Sequence, residues 1–204
     1  MDRQTIIQKV QLRMDEITPY DSGEIINNSF IDEILDDSVT TLLLKLPAYL
    51  CNPISMEIVE GVDNSDGTGY IELPDDFLRL VSFKMVEWSR AVTKPISEDS
   101  PQYNLQKISY LRGKPTKPVV VIRNDYGDSI QAIKKVLEYY SVVTDHDIER
   151  ALYIKTDVAE NLPDNIIDAL AYQCASDGFV IMEKPDQAKI ALAKVDEFIQ
   201  LNTY

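Results

Sequence analysis

The chain has 204 residues, enough for one sizeable domain or a domain carrying an insertion, and 45% of them are hydrophobic, which suits a folded protein rather than a disordered one. Acids outnumber bases 34 to 20, giving a formal net charge of −14 and a pI near 4.4. That balance argues against a protein built to grip a nucleic-acid backbone, which needs clustered Lys and Arg, though not against one that surrounds DNA without holding it.

Cys51 and Cys174 stand far apart and in no CxxC pattern; Cys174 lies in an apolar helical pattern and is expected to be a buried free thiol. The N-terminal MDRQTIIQKVQLRMDE is charged throughout and lacks the apolar centre of a signal peptide. The longest apolar cluster, LLLKLPAYL, is broken by Lys45 and Pro47 and is too short to span a bilayer. A soluble protein made in a reducing compartment is the expectation.

In chain order, Ile6, Val10, Met14 and Ile17 recur at helical spacing and predict a helix over 5–17, ended by Pro19 and Gly23. A second helix is expected to start after Asn28 or Ser29, either of which can cap it, and to stop at Pro47. Its stripe is wide: Phe30, Ile31, Ile34, Leu35, Val39, Leu42, Leu43 and Leu46. From Ile54 the texture changes, and ISMEIVE and YIEL read as short strands flanking the turn VDNSDGTG. Residues 80–88 alternate through Val81, Phe83 and Met85, while Val86 and Trp88 fall out of phase, which predicts a bulge near Met85. Residues 91–96 are expected to pair back onto that strand. A short helical connector over 100–110, the rigid turn RGKPTKP, the strand VVVIR, the turn NDYGDS and an extended run over 133–143 follow.

The last part reads as helical. Residues 164–182 place Ile166, Ile167, Leu170, Ala171, Cys174, Ala175 and Phe179 on one face, with Pro163 suited to the first turn. Residues 186–201 turn Ala188, Ala191, Val195, Phe198 and Ile199 inward. The order predicts an α+β fold: N-terminal helices over 1–50 and C-terminal helices over 147–204 form one bundle, and a mainly-β lobe over 54–143 is inserted in it.

The stretch DGTGYIELPDDFLRL, residues 66–80, is the densest candidate for chemistry. Read as a calcium loop with Gly67 at position six, it puts Asn64 and Asp66 at three and five. The first and twelfth positions then hold Val62 and Leu73, where the anchoring carboxylates belong. Asp75 and Asp76 would have to converge to work as a catalytic pair, whereas neighbours along a strand point to opposite faces; after Pro74 they are expected to make a turn. His146, the only histidine, lies in TDHDIER near an expected helix start that Thr144 or Asp145 could cap, and a single histidine excludes His-pair zinc sites. There is no G-x-S-x-G elbow, phosphate-binding loop or dinucleotide fingerprint. No catalytic, cofactor-binding or metal-binding residue is therefore assigned, and no cofactor is expected.

The same stretch resembles a segment of bacteriophage head-to-tail connector proteins, the adaptor or tail tubular protein A-like proteins of short-tailed phages. The residues that carry the resemblance are Asp66, Gly67, Tyr70, Ile71, Leu73, Pro74, Asp75, Asp76, Leu78 and Leu80. A second stretch follows in the right order: ENLPDNIIDALAYQCASDGF, residues 160–179, is similar to the family's Leu-Pro step opening a long alanine-bearing helix, through Leu162, Pro163, Ala169, Ala171 and Ala175. Residues 89–159 give no residue-by-residue match, and the chain stops at Tyr204 without the long extension that some relatives dock onto neighbouring ring proteins.

The resemblance implies a virion protein without catalysis: a ring, typically of twelve copies, beneath the portal at the head–tail junction, assembled in the host cytoplasm. The ring would extend the DNA channel and offer a platform for the tail. Its implied partners are further copies of itself, the portal protein, and tail or further ring proteins; DNA passes without specific binding, and no membrane is involved. Ring contacts are head-to-tail, so one face must complement a different one. The two-sided apolar run 133–143 would suit burial between lobes or subunits, or core packing within the subunit. The acidic surplus would repel DNA in a channel or form a solvated exterior. Other readings stay open: another phage tail-completion or assembly protein, a metal-dependent hydrolase using Asp75 and Asp76, and a regulatory module whose acidic face mimics nucleic acid.

Overall fold

The structure, a computed structural model, describes residues 1–18, 27–57, 62–126, 133–140, 142 and 147–202. In chain order its elements are α1 (Arg3–Ile17), α2 (Asn28–Lys45), β1 (Ile54–Ser55), β2 (Val62–Asp63), β3 (Thr68–Glu72), β4 (Phe77–Met85), β5 (Ile96–Ser97), α3 (Pro101–Gln106), β6 (Val120–Tyr126), β7 (Ile133–Tyr140), β8 (Ile148–Lys155), α4 (Ile167–Ile181) and α5 (Pro185–Leu201). The protein is α+β, and the chain divides into two compact units: Met1–Asn52 with Thr156–Tyr204, and Pro53–Lys155. Among the described residues no helix is long and apolar enough to cross a membrane. Pro19, Gly23, the end of the turn NDYGDS, Val143, Thr144, Asp145 and His146 lie outside the described residues.

The first unit is the helical bundle. α1 starts two residues earlier than its apolar pattern suggests, because Asp2 caps it by accepting the Thr5 N–H at 3.0 Å. It buries Ile6, Ile7, Val10 and Met14. The cap of α2 is Asn27 rather than Asn28 or Ser29, its side chain accepting the Ser29 N–H at 3.1 Å. α2 ends because Leu46, preceding Pro47, takes the extended backbone (φ −64, ψ 147) that a following proline enforces. Arg3 ties α1 to α2, donating to Asp32 and Asp36 and reaching Glu160 at 3.5 Å. The hydrogen bonds it donates to Asp36 and Asp32 hold its guanidinium firmly protonated.

α4 is the centre of the bundle, packed against α1, α2 and α5 and buried nearly all round. Its few polar groups are matched: the Ser38 hydroxyl donates to Asp177 at 2.7 Å, the Gln173 amide donates to Asp177 at 2.8 Å, and Lys45 donates to Gln173 at 2.9 Å. Cys174 is the buried free thiol expected, and burial pushes its pKa up to about 12. α4 ends in a Schellman motif: the Lys184 N–H bonds to Phe179 O (2.8 Å) and the Glu183 N–H to Val180 O (3.1 Å), with Glu183 left-handed at φ 58. Pro163 does not occupy a first helical turn. It stands extended ahead of a short 3-10 turn, Asp164–Ile166, and the first-turn proline is Pro185 of α5. α5 buries Ala188, Ala191 and Val195, with Phe198 and Ile199 half-buried.

The second unit is a sandwich of two sheets, β1-β8-β4 and β2-β3-β7-β6-β5, antiparallel except for the parallel pair β5–β6. Phe77, Leu80, Phe83, Met85, Ala151 and Tyr153 of the first sheet share one core with Ile71, Val120, Leu137 and Tyr139 of the second. Phe83 stacks on Tyr139 at 6.2 Å and meets Trp88 edge-on at 5.7 Å. A parallel pair requires a crossover, and α3 with the connector after it supplies one. Tyr103 of α3 donates to Glu138 of β7 at 3.2 Å, which places the crossover over the face of the second sheet turned away from the first.

Residues 148–155 are not the start of the C-terminal helices but strand β8, the middle strand of its sheet, so strand structure continues past 143 to Lys155. Asn124, Asp125 and Tyr126 belong to β6 rather than to a turn. The helix of the 100–110 connector is only Pro101–Gln106. The bulge near Met85 is present, as a register shift between Lys84 and Met85, with two more at Phe77/Arg79 and Leu80/Ser82. Val92 bridges back to Phe83 as expected, but Ile96 pairs with Val121 instead. On β7, Val136 and Tyr140 are as buried as Leu137 and Tyr139. Both faces of β7 are thus covered within the single chain.

Candidate functional surfaces

The stretch 66–80 forms two linked turns. In the first, Asp63 accepts the Ser65 N–H at 2.6 Å, Ser65 and Gly67 take left-handed backbone (φ 60 and 80), and β2 returns as β3. Asp66 is fully engaged: it accepts the Thr68 N–H at 3.1 Å, the Thr68 hydroxyl, and Arg112 Nη2 at 2.9 Å. The Thr68 hydroxyl first, and Arg112 after it, hold this carboxyl below its usual range. A calcium ion would find those oxygens already bonded to donors. Gly69, directly opposite Tyr139 on β7, leaves room for that ring.

In the second turn the Phe77 N–H bonds to Pro74 O at 3.0 Å. Asp76 accepts the Tyr153 hydroxyl at 3.0 Å, while the Tyr153 ring stacks on Phe77 at 5.8 Å, so turn and β8 are clamped together. Burial, with Asp76 adding to it, pushes Tyr153 up to about 12. Asp75 is exposed and lines an open cleft of about 470 Å³ with Glu57, Glu72, Ile54 and Leu73. Lys134 sits 2.7 Å from Glu72 and offsets part of its charge. Among the described residues no three His, Cys, Asp or Glu side chains are grouped to hold a metal ion. The arrangement makes a shape: each engaged carboxylate fixes a turn, and the free one faces solvent.

Sequence reasoning missed the segment after α3. Ser100 caps that helix, and the chain then forms a loop in which Ile108, Tyr110 and Leu111, with Leu105 before them, are exposed. The available signal was four apolar residues in a connector with no helical or strand period. The bundle also exposes Leu12, Leu44, Val180, Ile181 and Ile190. A scan against protein-family models gives no match, and no curated protein searched matches the chain.

Proposed function

We propose that the protein is a structural head-to-tail connector of a bacteriophage particle, assembling as a ring between portal and tail. The observation that carries this reading is where the two connector-like stretches fall in the fold. The first Leu-Pro step, Leu73-Pro74, is the turn that ends β3 and opens β4; the second, Leu162-Pro163, leads into α4, the centre of the bundle. Both are shape-forming junctions, in a chain whose terminal helices bracket a β lobe, the plan the resemblance implies. On this reading Asp75 and Asp76 serve the turn rather than a reaction, and the acidic surplus keeps DNA from adhering to the channel.

The test is to mix the purified protein with its portal and image the mixture by negative stain. A ring seated on the portal is the expected result. Monomers that neither form rings nor bind the portal would refute the proposal.

A further inference from the structure

Charge is unevenly spread along this chain. Residues 1–52 with 156–204 hold 18 acids against 7 bases, whereas 53–155 hold 16 against 13. Between Asp99 and Asp125 there is no acid at all, but five bases: Lys107, Arg112, Lys114, Lys117 and Arg123. The fold gathers much of this stretch onto one surface of the lobe.

Gln106 organises that surface. It is buried, its Oε1 accepts the Gly113 N–H at 2.8 Å, its Nε2 donates to Gln102 O at 3.2 Å, and its own carbonyl accepts Arg112 Nε at 2.9 Å. The ends of the loop 106–113 are thereby pinned together, and its tip stands outward, with Tyr110 78% exposed. The next turn, closed by the Lys114–Lys117 bridge, lies against Ser89, whose N–H and hydroxyl both donate to Pro115 O at 3.0 and 3.2 Å. The backbone at Arg90 is thus held close to the turn that carries Lys114 and Lys117. All three are exposed and make no ion pair among the described residues. Arg112, by contrast, is bound to Asp66, and Lys107 lies 4.6 Å over the Tyr103 ring.

A firmly held apolar loop beside unpaired cations has the make-up of a protein interface. We propose that this surface docks the acidic helical bundle of a second copy of the chain. The exposed Leu105, Ile108, Tyr110 and Leu111 gain from burial against protein, which a phosphate backbone does not offer. The complementary charge is on the chain itself, where α2 exposes Glu33 and Asp37. Such a contact joins unlike patches, the kind that closes into rings. The inference rests on the connector reading for its choice of partner and names the subunit contact.

The experiment uses equal amounts of isotopically light and heavy full-length protein, assembled on the portal and treated with a carbodiimide that joins amines to carboxylates in direct contact. Light-to-heavy links from Lys114 or Lys117 to bundle carboxylates are expected. Lys114→Glu with Lys117→Glu should lower their yield and the self-association by about tenfold, with the helical signal unchanged. Portal binding without such links would overturn this inference and leave the connector reading standing; absence of portal binding would overturn both. Retardation of DNA by the native protein, lost in the double variant, would assign the surface to nucleic acid instead and also overturn it.

Discussion

Gly69→Ala sets two effects against each other. In a strand interior, alanine should be better than glycine by about 0.5–1 kcal/mol, because it loses less backbone entropy. At this position, though, the added Cβ would lie 2.3 Å from Tyr139 Oη, 2.5 Å from Tyr139 Cζ and 2.6 Å from the Val62 carbonyl oxygen. None of these neighbours can readily retreat. Val62 O is backbone of the paired strand β2, and the Tyr139 ring is backed by Phe83, itself held edge-on by Trp88. Overpacking of this kind costs about 1–3 kcal/mol or more, and the absence of any yielding partner puts it at the upper end. The net expectation is a loss of about 2 kcal/mol, or roughly 4–8 °C in Tm. Trp88, the only tryptophan, is buried in the lobe, so its fluorescence during urea unfolding reports on the unit in question. Adding Tyr139→Leu to Gly69→Ala should recover part of the loss through their coupling. A Gly69→Ala protein as stable as the native one would refute the packing argument.

Other consequences can be measured alongside. Glu183→Gly places the residue that tolerates φ 58 at the end of α4, and should raise stability by about 0.5–1 kcal/mol in thermal unfolding. Asp76→Asn weakens the bond to Tyr153 and should cost about 1 kcal/mol, whereas Asp75→Asn should change stability by less than about 0.5 kcal/mol; a larger effect at Asp75 would contradict the exposed placement. Burial raises Cys174 from 9.0, and Tyr139 and Tyr153 from 10.0, to about 12. Between the unfolded and folded values the unfolded chain loses protons that the folded one keeps, so this stability is intact below pH 9 and is lost as pH rises to about 12. Urea midpoints that stay level across that window would show that these groups are not buried as described.

The four bundle helices were legible because each has an apolar stripe at 3.6-residue spacing and an identifiable stop, as with Leu46 before Pro47. The cap of α2 was off by one or two residues because Asn27, Asn28 and Ser29 are all competent caps, and tertiary fit selects among them. β8 was misread for a stronger reason. IERALYIK is rich in good helix formers, and its alternation is spoiled where β4 shifts register against it. Only its two neighbours, β1 and β4, make it a strand, and such pairing is not local. In the candidate site, the turn at Pro74-Asp75-Asp76 was legible from residue type, while the Tyr153–Asp76 bond joins residues far apart in sequence. The loop at 106–113 escaped because the residue that builds it, Gln106, looks like any surface glutamine until it is buried.

The pairing of β1 with β8 has a consequence for the order of folding. These are the first and last strands of the inserted lobe, and Ile54 lies directly opposite Tyr153. Before the lobe forms, bringing α1 and α2 to α4 means closing a loop the length of the whole insertion. Once the lobe has formed, its entry and exit points are adjacent, and the helices are joined as if by a few residues. On a logarithmic loop-closure law, shortening the loop from about a hundred residues to about four lowers the entropic cost by on the order of 3 kcal/mol. The insertion therefore acts as a clasp: folding the lobe first turns a distant helical encounter into a local one.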